Sequence, residues 1–162
     1  MTKRRLIIIA ALAALAALLA IPAVVMGGDT TDISGNVVSG YTFSAPSAIN
    51  LGNMTPGNTV TGNSIGHLSG NNSAGYTVTG TDAKASNKGY MVSGTNVLHN
   101  KLKIGPNSNP TATADTSVEF LNTNSSTDQD INLYVSQDIS YSDTAASGYT
   151  ITITFTVIEK TQ

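Results

Sequence analysis

From Tyr149 to Val157 the chain alternates without a break, with Tyr149, Ile151, Ile153, Phe155 and Val157 set against Thr150, Thr152, Thr154 and Thr156. A strand points successive side chains to opposite faces, so the pattern predicts one face in a core and a threonine face outside it. Comparable runs predict strands over Val37 to Phe43, Ile49 to Met54, Tyr76 to Thr79, Tyr90 to Val92, Val97 to Ile104, Val118 to Leu121 and Ile131 to Ile139. Turn formers separate them, among them Pro56-Gly57, Gly70-Asn71-Asn72 and Gly105-Pro106-Asn107. Beyond the first thirty residues no apolar series at helical spacing survives the frequent Gly and Asn. Short, regularly punctuated strands of this kind predict an all-β fold, a single antiparallel β-sandwich of Ig-like or jelly-roll-like type. The last two strands, joined across Ser140 to Gly148, read as a hairpin.

The first residues follow another rule. Lys3, Arg4 and Arg5 precede an uncharged, mainly apolar run from Leu6 to Val25. A basic start before such a run is the layout of an export signal, and its length also suits a membrane-spanning helix. Pro22 and the small pair Gly27-Gly28 favour cleavage near that pair. The reading is therefore a signal peptide or N-terminal anchor helix over 1–28, an extended segment over 29–44, and a β-sandwich domain over 45–162. The expected location is secreted, at the cell surface, with membrane contact only through the N-terminal segment.

The chain has no cysteine, so an exported domain of this sequence relies on its core and its strand ladders instead of disulfides. Beyond the leader the basic residues are Lys84, Lys88, Lys101, Lys103 and Lys160, facing all 10 acids. That balance supplies no basic footprint for phosphates, and no nucleic-acid partner is expected. Charge is also uneven: four lysines and no acid between Ala83 and Lys103, then six acids and no base between Ile104 and Ile158. Such polarity suits head-to-tail contacts between copies, as well as a merely uneven surface.

Catalytic signatures are absent. His67 and His99 are the only histidines, with no metalloprotease spacing around them. No GxSxG elbow occurs and no pair of carboxylates stands out for glycoside chemistry, so no enzyme is expected. The segment Asn122 to Asp130 spaces oxygen-bearing side chains, and Asn122, Asn124, Asp128 and Asp130 are weak calcium candidates on a loop that otherwise reads as solvated. No other cofactor is expected. Asn53, Asn71 and Asn124 fit the N-glycosylation acceptor pattern. A Gly-Tyr pair opens an alternating run at Gly40, Gly75, Gly89 and Gly148, as a turn glycine before a tyrosine that starts a strand with its hydroxyl wet. These tyrosines read as strand starts or as a rim for stacking sugar rings.

A leader, the extended DTTDISGNVVSG, the turn INLGNMTPGNTV and the terminal YTITITFTV together resemble small exported β-sandwich proteins of archaeal and bacterial surfaces, of the TasA/camelysin and archaeal bundling pilin types. The likeness covers most of the chain by layout, and Leu51 to Gly57 and Tyr149 to Val157 by motif. It implies subunits that polymerise by lending an N-terminal strand to a neighbour's sheet. The donor then lies within Asp29 to Gly40, with Ile33, Val37 and Val38 as its apolar residues, and Thr152 and Thr154 lie on a strand open to contact. The expected function is a non-enzymatic structural subunit of a cell-surface filament, pilus or coat, whose partners are copies of itself or a related subunit. The alternative is an extracellular module that binds a glycan or another surface, with calcium as a possible aid.

Overall fold

The computed structural model describes residues 34–161. The expected signal or anchor segment and Ile33 lie outside the described residues. The chain divides after Asn36, and all the strands belong to the unit that begins at Val37. Every named element in that unit is a strand, and among the described residues no helix is long and apolar enough to cross a membrane.

The strands are β1 (Tyr41–Ser44), β2 (Thr59–Gly70), β3 (Tyr76–Asp82), β4 (Val92–Ser93), β5 (Asn96–Val97), β6 (Lys103–Gly105), β7 (Ala112–Thr113), β8 (Val118–Asn122), β9 (Thr127–Asp138) and β10 (Ile153–Glu159). One sheet runs β1-β2-β9-β6-β7, a second β10-β3-β8, and β4 with β5 form a small ribbon. All pairings are antiparallel. Leu68, Ile104, Ile131 and Leu133 of the first sheet share one buried cluster with Tyr76, Val78, Val118 and Phe120 of the second. The result is a sandwich-like all-β fold, as its alternating strands predict.

The longest ladder joins β2 to β9, from Thr59 opposite Asp138 to Gly70 opposite Thr127. Periodicity does not reveal β2, because its inward positions include Gly62, Gly66 and Gly70. A methyl group at Gly62 would meet the Ile49 and Leu51 side chains, at Gly66 the backbone around Ser44 and Pro46, and at Gly70 the Tyr76 ring. The glycines leave room for atoms that arrive from elsewhere. The segment 45–58 lies over Gly62 and Gly66 as a strap, so Ile49 to Met54 is an irregular run and not the predicted strand. Ile49, Leu51 and Met54 still pack against the core, which is why they read as strand residues.

Three further expectations change. β9 and β10 lie in different sheets, so the C-terminal hairpin does not form; the connection 139–152 carries the chain from one layer to the other. Residues 127–130 belong to β9 and not to a loop, held by pairing with β2. The expected strand from Val97 to Ile104 breaks into β5 and β6 around buried Leu98 and Leu102.

Candidate functional site

The alternation from Tyr149 to Val157 settles as its pattern predicts. Ile153, Phe155 and Val157 turn inward and are half-buried, while Thr150, Thr152, Thr154 and Thr156 are exposed. Phe155 lies 5.2 Å from Phe120 and 6.1 Å from Phe43 between ring centroids, so it touches both sheets. The half-burial has a topological cause. β10 pairs with β3 alone, from Ile153 opposite Asp82 to Glu159 opposite Tyr76, and among the described residues no strand lies on its other side.

The facing sheet is incomplete at the same side. β1 covers only His67 to Gly70 of β2, and the remaining edge of β2 is followed by the strap instead of a paired strand. A cavity of about 410 Å³ opens there, with Ile49 and Leu51 from the strap, Leu133 and Val135 from β9, and Ile151 and Ile153 from the approach to β10. A free strand edge beside an apolar groove offers backbone hydrogen bonds and side-chain pockets to an extended peptide. No lysine, proline or bulge guards β10 between Ile153 and Ile158.

The extended segment leaves the sandwich at its other end. Asn71 clamps it on both sides: Oδ1 accepts from Gly40 N at 2.8 Å, and Nδ2 donates to Val38 O at 3.0 Å. Tyr76 is fully buried, and its hydroxyl donates to Gly40 O at 3.0 Å while accepting from Asn72 N at 2.9 Å. That hydroxyl is therefore dry, unlike the wet rim position its Gly-Tyr motif predicts. The glycine before it has a structural reason: Gly75 adopts φ +92°, and a Cβ there would strike the Thr123 carbonyl. Above the clamp, Val37 and Val38 are 90% and 80% exposed.

The four calcium candidates do not converge. Asn122 and Asn124 accept hydrogen bonds from the Lys160 ammonium. Asp128 and Asp130 instead flank His67, at 2.9 Å to Nε2 and 3.0 Å to Nδ1. The Asp130 bond, then the Asp128 bond, raises the His67 pKa, and the His67 bond lowers that of Asp128. Among the described residues no group of three or more His, Cys, Asp or Glu is placed to hold a metal ion. Sequence spacing does not reveal this cluster, because His67 and Asp130 meet only through the β2–β9 register.

The charge polarity is partly neutralised within the chain. Lys101 pairs with Asp115 and Lys103 with Asp138, so the basic and acidic stretches bind each other. Each lysine bond holds its partner carboxylate below the ordinary range, and the Asp115 bond raises Lys101. Of the Gly-Tyr tyrosines, Tyr76 is enclosed, Lys101 lies over the Tyr90 ring at 5.4 Å, Tyr149 donates to Thr144 O, and Tyr41 stays exposed with its ring edge-on to Tyr76. A second cavity, about 740 Å³, sits between the strap and residues 143–150. Of the acceptor asparagines, Asn53 is exposed on the strap, Asn71 is the clamp and Asn124 holds Lys160.

No protein-family model matches this chain, and no curated protein does.

Proposed function

We propose that the chain is a non-enzymatic structural subunit of an extracellular filament, pilus or coat, whose open edge accepts an extended segment from a second copy. The observation that carries this reading is the free edge of β10 beside an apolar groove, with no charge or proline from Ile153 to Ile158. The occupant is the stretch within Asp29 to Gly40. Its Val37 and Val38 are the most exposed large aliphatic side chains described, above a clamp that fixes where the segment departs. Paired along a strand edge, Ile33 and Val37 would share the face turned to the groove and bury the apolar surface that a solitary subunit leaves in water, with Val38 on the opposite face. The organisation resembles the TasA/camelysin and bundling pilin types, and export through the N-terminal segment belongs to the same proposal. So does the finer assignment of the sandwich as Ig-like or jelly-roll-like, supported by one core shared between a five-stranded and a three-stranded sheet.

The test uses purified protein in negative-stain microscopy and sedimentation. Polymers are expected from the wild type, and dispersed folded monomers from a chain carrying Val37→Asn and Val38→Asn. Neither side chain belongs to the core cluster, so the double variant separates assembly from folding. Wild-type monomers at every concentration and salt would overturn the reading.

A further inference from the structure

Lys160, Asn122 and Glu119 form a chain of contacts with the parts of an amide-forming reaction. Lys160 Nζ donates to Asn122 Oδ1 at 2.5 Å and to Asn124 Oδ1 at 2.7 Å. The Asn122 Nδ2 in turn donates to Glu119 Oε2 at 2.9 Å. An amine, a carboxamide and a carboxylate on the leaving nitrogen are thus joined by successive hydrogen bonds.

Their place in the fold is as telling. Lys160 directly follows β10, whose Glu159 lies opposite Tyr76, while Asn122 ends β8 opposite Thr77. β3 runs between them, so Lys160 reaches across the central strand of the second sheet to the strand beyond it. The lysine is also held by its backbone: its N donates to Gly75 O at 3.0 Å, and its O accepts from Asn72 Nδ2 at 2.9 Å. An ordinary surface contact adds little stability and does not need such support.

We infer that Lys160 and Asn122 become covalently joined by an intramolecular isopeptide bond, with Glu119 as the proton carrier. The Lys160 ammonium loses one proton to solvent, and its amine attacks Asn122 Cγ. The new N–Cγ bond forms and the attacking nitrogen gives up its second proton, which the Glu119 carboxylate carries to Nδ2; the Cγ–Nδ2 bond breaks, and the departing ammonia takes up the proton first released to solvent. In sum, one ammonium and one carboxamide give one secondary amide and one ammonium ion, with no oxidant and no further reactant. Asn124 Oδ1 keeps the remaining N–H of the new amide. Glu119 and Asn122 are exposed and Lys160 half-buried, so solvation of the ammonium slows the step. The chain needs it only once, however, and the fold holds the two groups in contact instead of leaving them to meet by diffusion. The product closes a loop from Asn122 to Lys160 and staples the free-edged β10 to β8. The bond forms within one chain, whether or not that chain polymerises.

The test is mass spectrometry of the full chain after prolonged incubation in mildly alkaline buffer. The expected result is an intact mass lighter by one ammonia, with a branched proteolytic peptide that joins the segments around Asn122 and Lys160. Succinimide formation at an asparagine also releases ammonia, so the branch must be mapped. Lys160→Arg and Asn122→Ala should each abolish it, and Glu119→Gln should slow it at least tenfold. An intact mass with no ammonia loss would overturn the inference, as would an ammonia loss without a branched peptide joining Asn122 to Lys160.

Discussion

The Lys103 ammonium lies 2.8 Å from Asp138 Oδ2, tying β6 to the end of β9. Asp138 also accepts from Thr59 Oγ1 through its other oxygen, so one carboxylate joins three neighbouring strands of the first sheet. The Lys103 bond and then the Thr59 bond lower the Asp138 pKa. A carboxylate depressed in the folded state adds stability above its unfolded pKa, near 4, and loses it as pH falls through the folded value. Thermal unfolding followed from pH 7 to pH 2 should show an acid-limb loss that Asp138→Asn makes shallower. Both side chains are more than a third exposed, so Lys103→Met at neutral pH should cost no more than about 1 kcal/mol.

His67 has the opposite sign. Its pKa is raised by Asp130 and Asp128, so its contribution is fully present below the unfolded value of about 6.5 and fades as pH rises through the folded one. The imidazole of His67, followed by NMR, should titrate above that unfolded value. In a chain with both Asp128→Asn and Asp130→Asn it should return toward it. An unchanged titration midpoint would show that the two carboxylates do not hold the ring in solution.

Phe155 measures the incompleteness of the sandwich. A fully enclosed phenylalanine costs roughly 3–5 kcal/mol when cut to alanine. Phe155 is only half-buried, although it bridges Phe43 and Phe120. Phe155→Ala should therefore cost the isolated subunit about 2–3 kcal/mol in urea unfolding. In the polymer the loss should be larger, because a strand laid beside β10 would complete the burial.

Replacing Thr152 and Thr154 with lysine probes the same strand from outside. Both are exposed and neither packs on the core, so the double variant should unfold within about 0.5 kcal/mol of wild type. Sedimentation of the folded variant then reads assembly alone. Loss of polymer would place a subunit contact on this face, and intact polymer would confine the contact to the edge and groove.

Gly62 carries the strap. Gly62→Ala pushes a methyl group against Ile49 and Leu51, and overpacking of this kind should cost about 1–3 kcal/mol in chemical denaturation. The paired change Gly62→Ala with Ile49→Ala should recover part of that cost, which a purely conformational effect of the glycine would not allow.

The terminal strand is legible from residues alone because its two faces meet different fates, apolar toward the core and threonine toward water. β2 is hidden for the converse reason: at Gly62, Gly66 and Gly70 its inward face carries no side chains, and the apolar mass that fills the space belongs to the strap and to Tyr76. Period-two spacing thus gives strand character to Ile49 and Leu51, which line the core without a ladder. The expected hairpin around Ser140 to Gly148 does not form because adjacency along the chain does not say which layer a strand joins. The candidate site divides in the same way. The threonine ribbon is local and readable, while Lys160 with Asn122, and His67 with Asp130, are brought together by pairing across long stretches of sequence.

The glycine row beneath the strap also ties the drift of two distant segments together. A larger residue at position 62 becomes tolerable only where position 49 or 51 has shrunk, and a larger one at 70 only where the ring at 76 has gone. Related chains should therefore vary at these positions in compensating pairs, so that the tightest covariation signal joins an irregular connection to a strand that carries almost no hydrophobic pattern of its own.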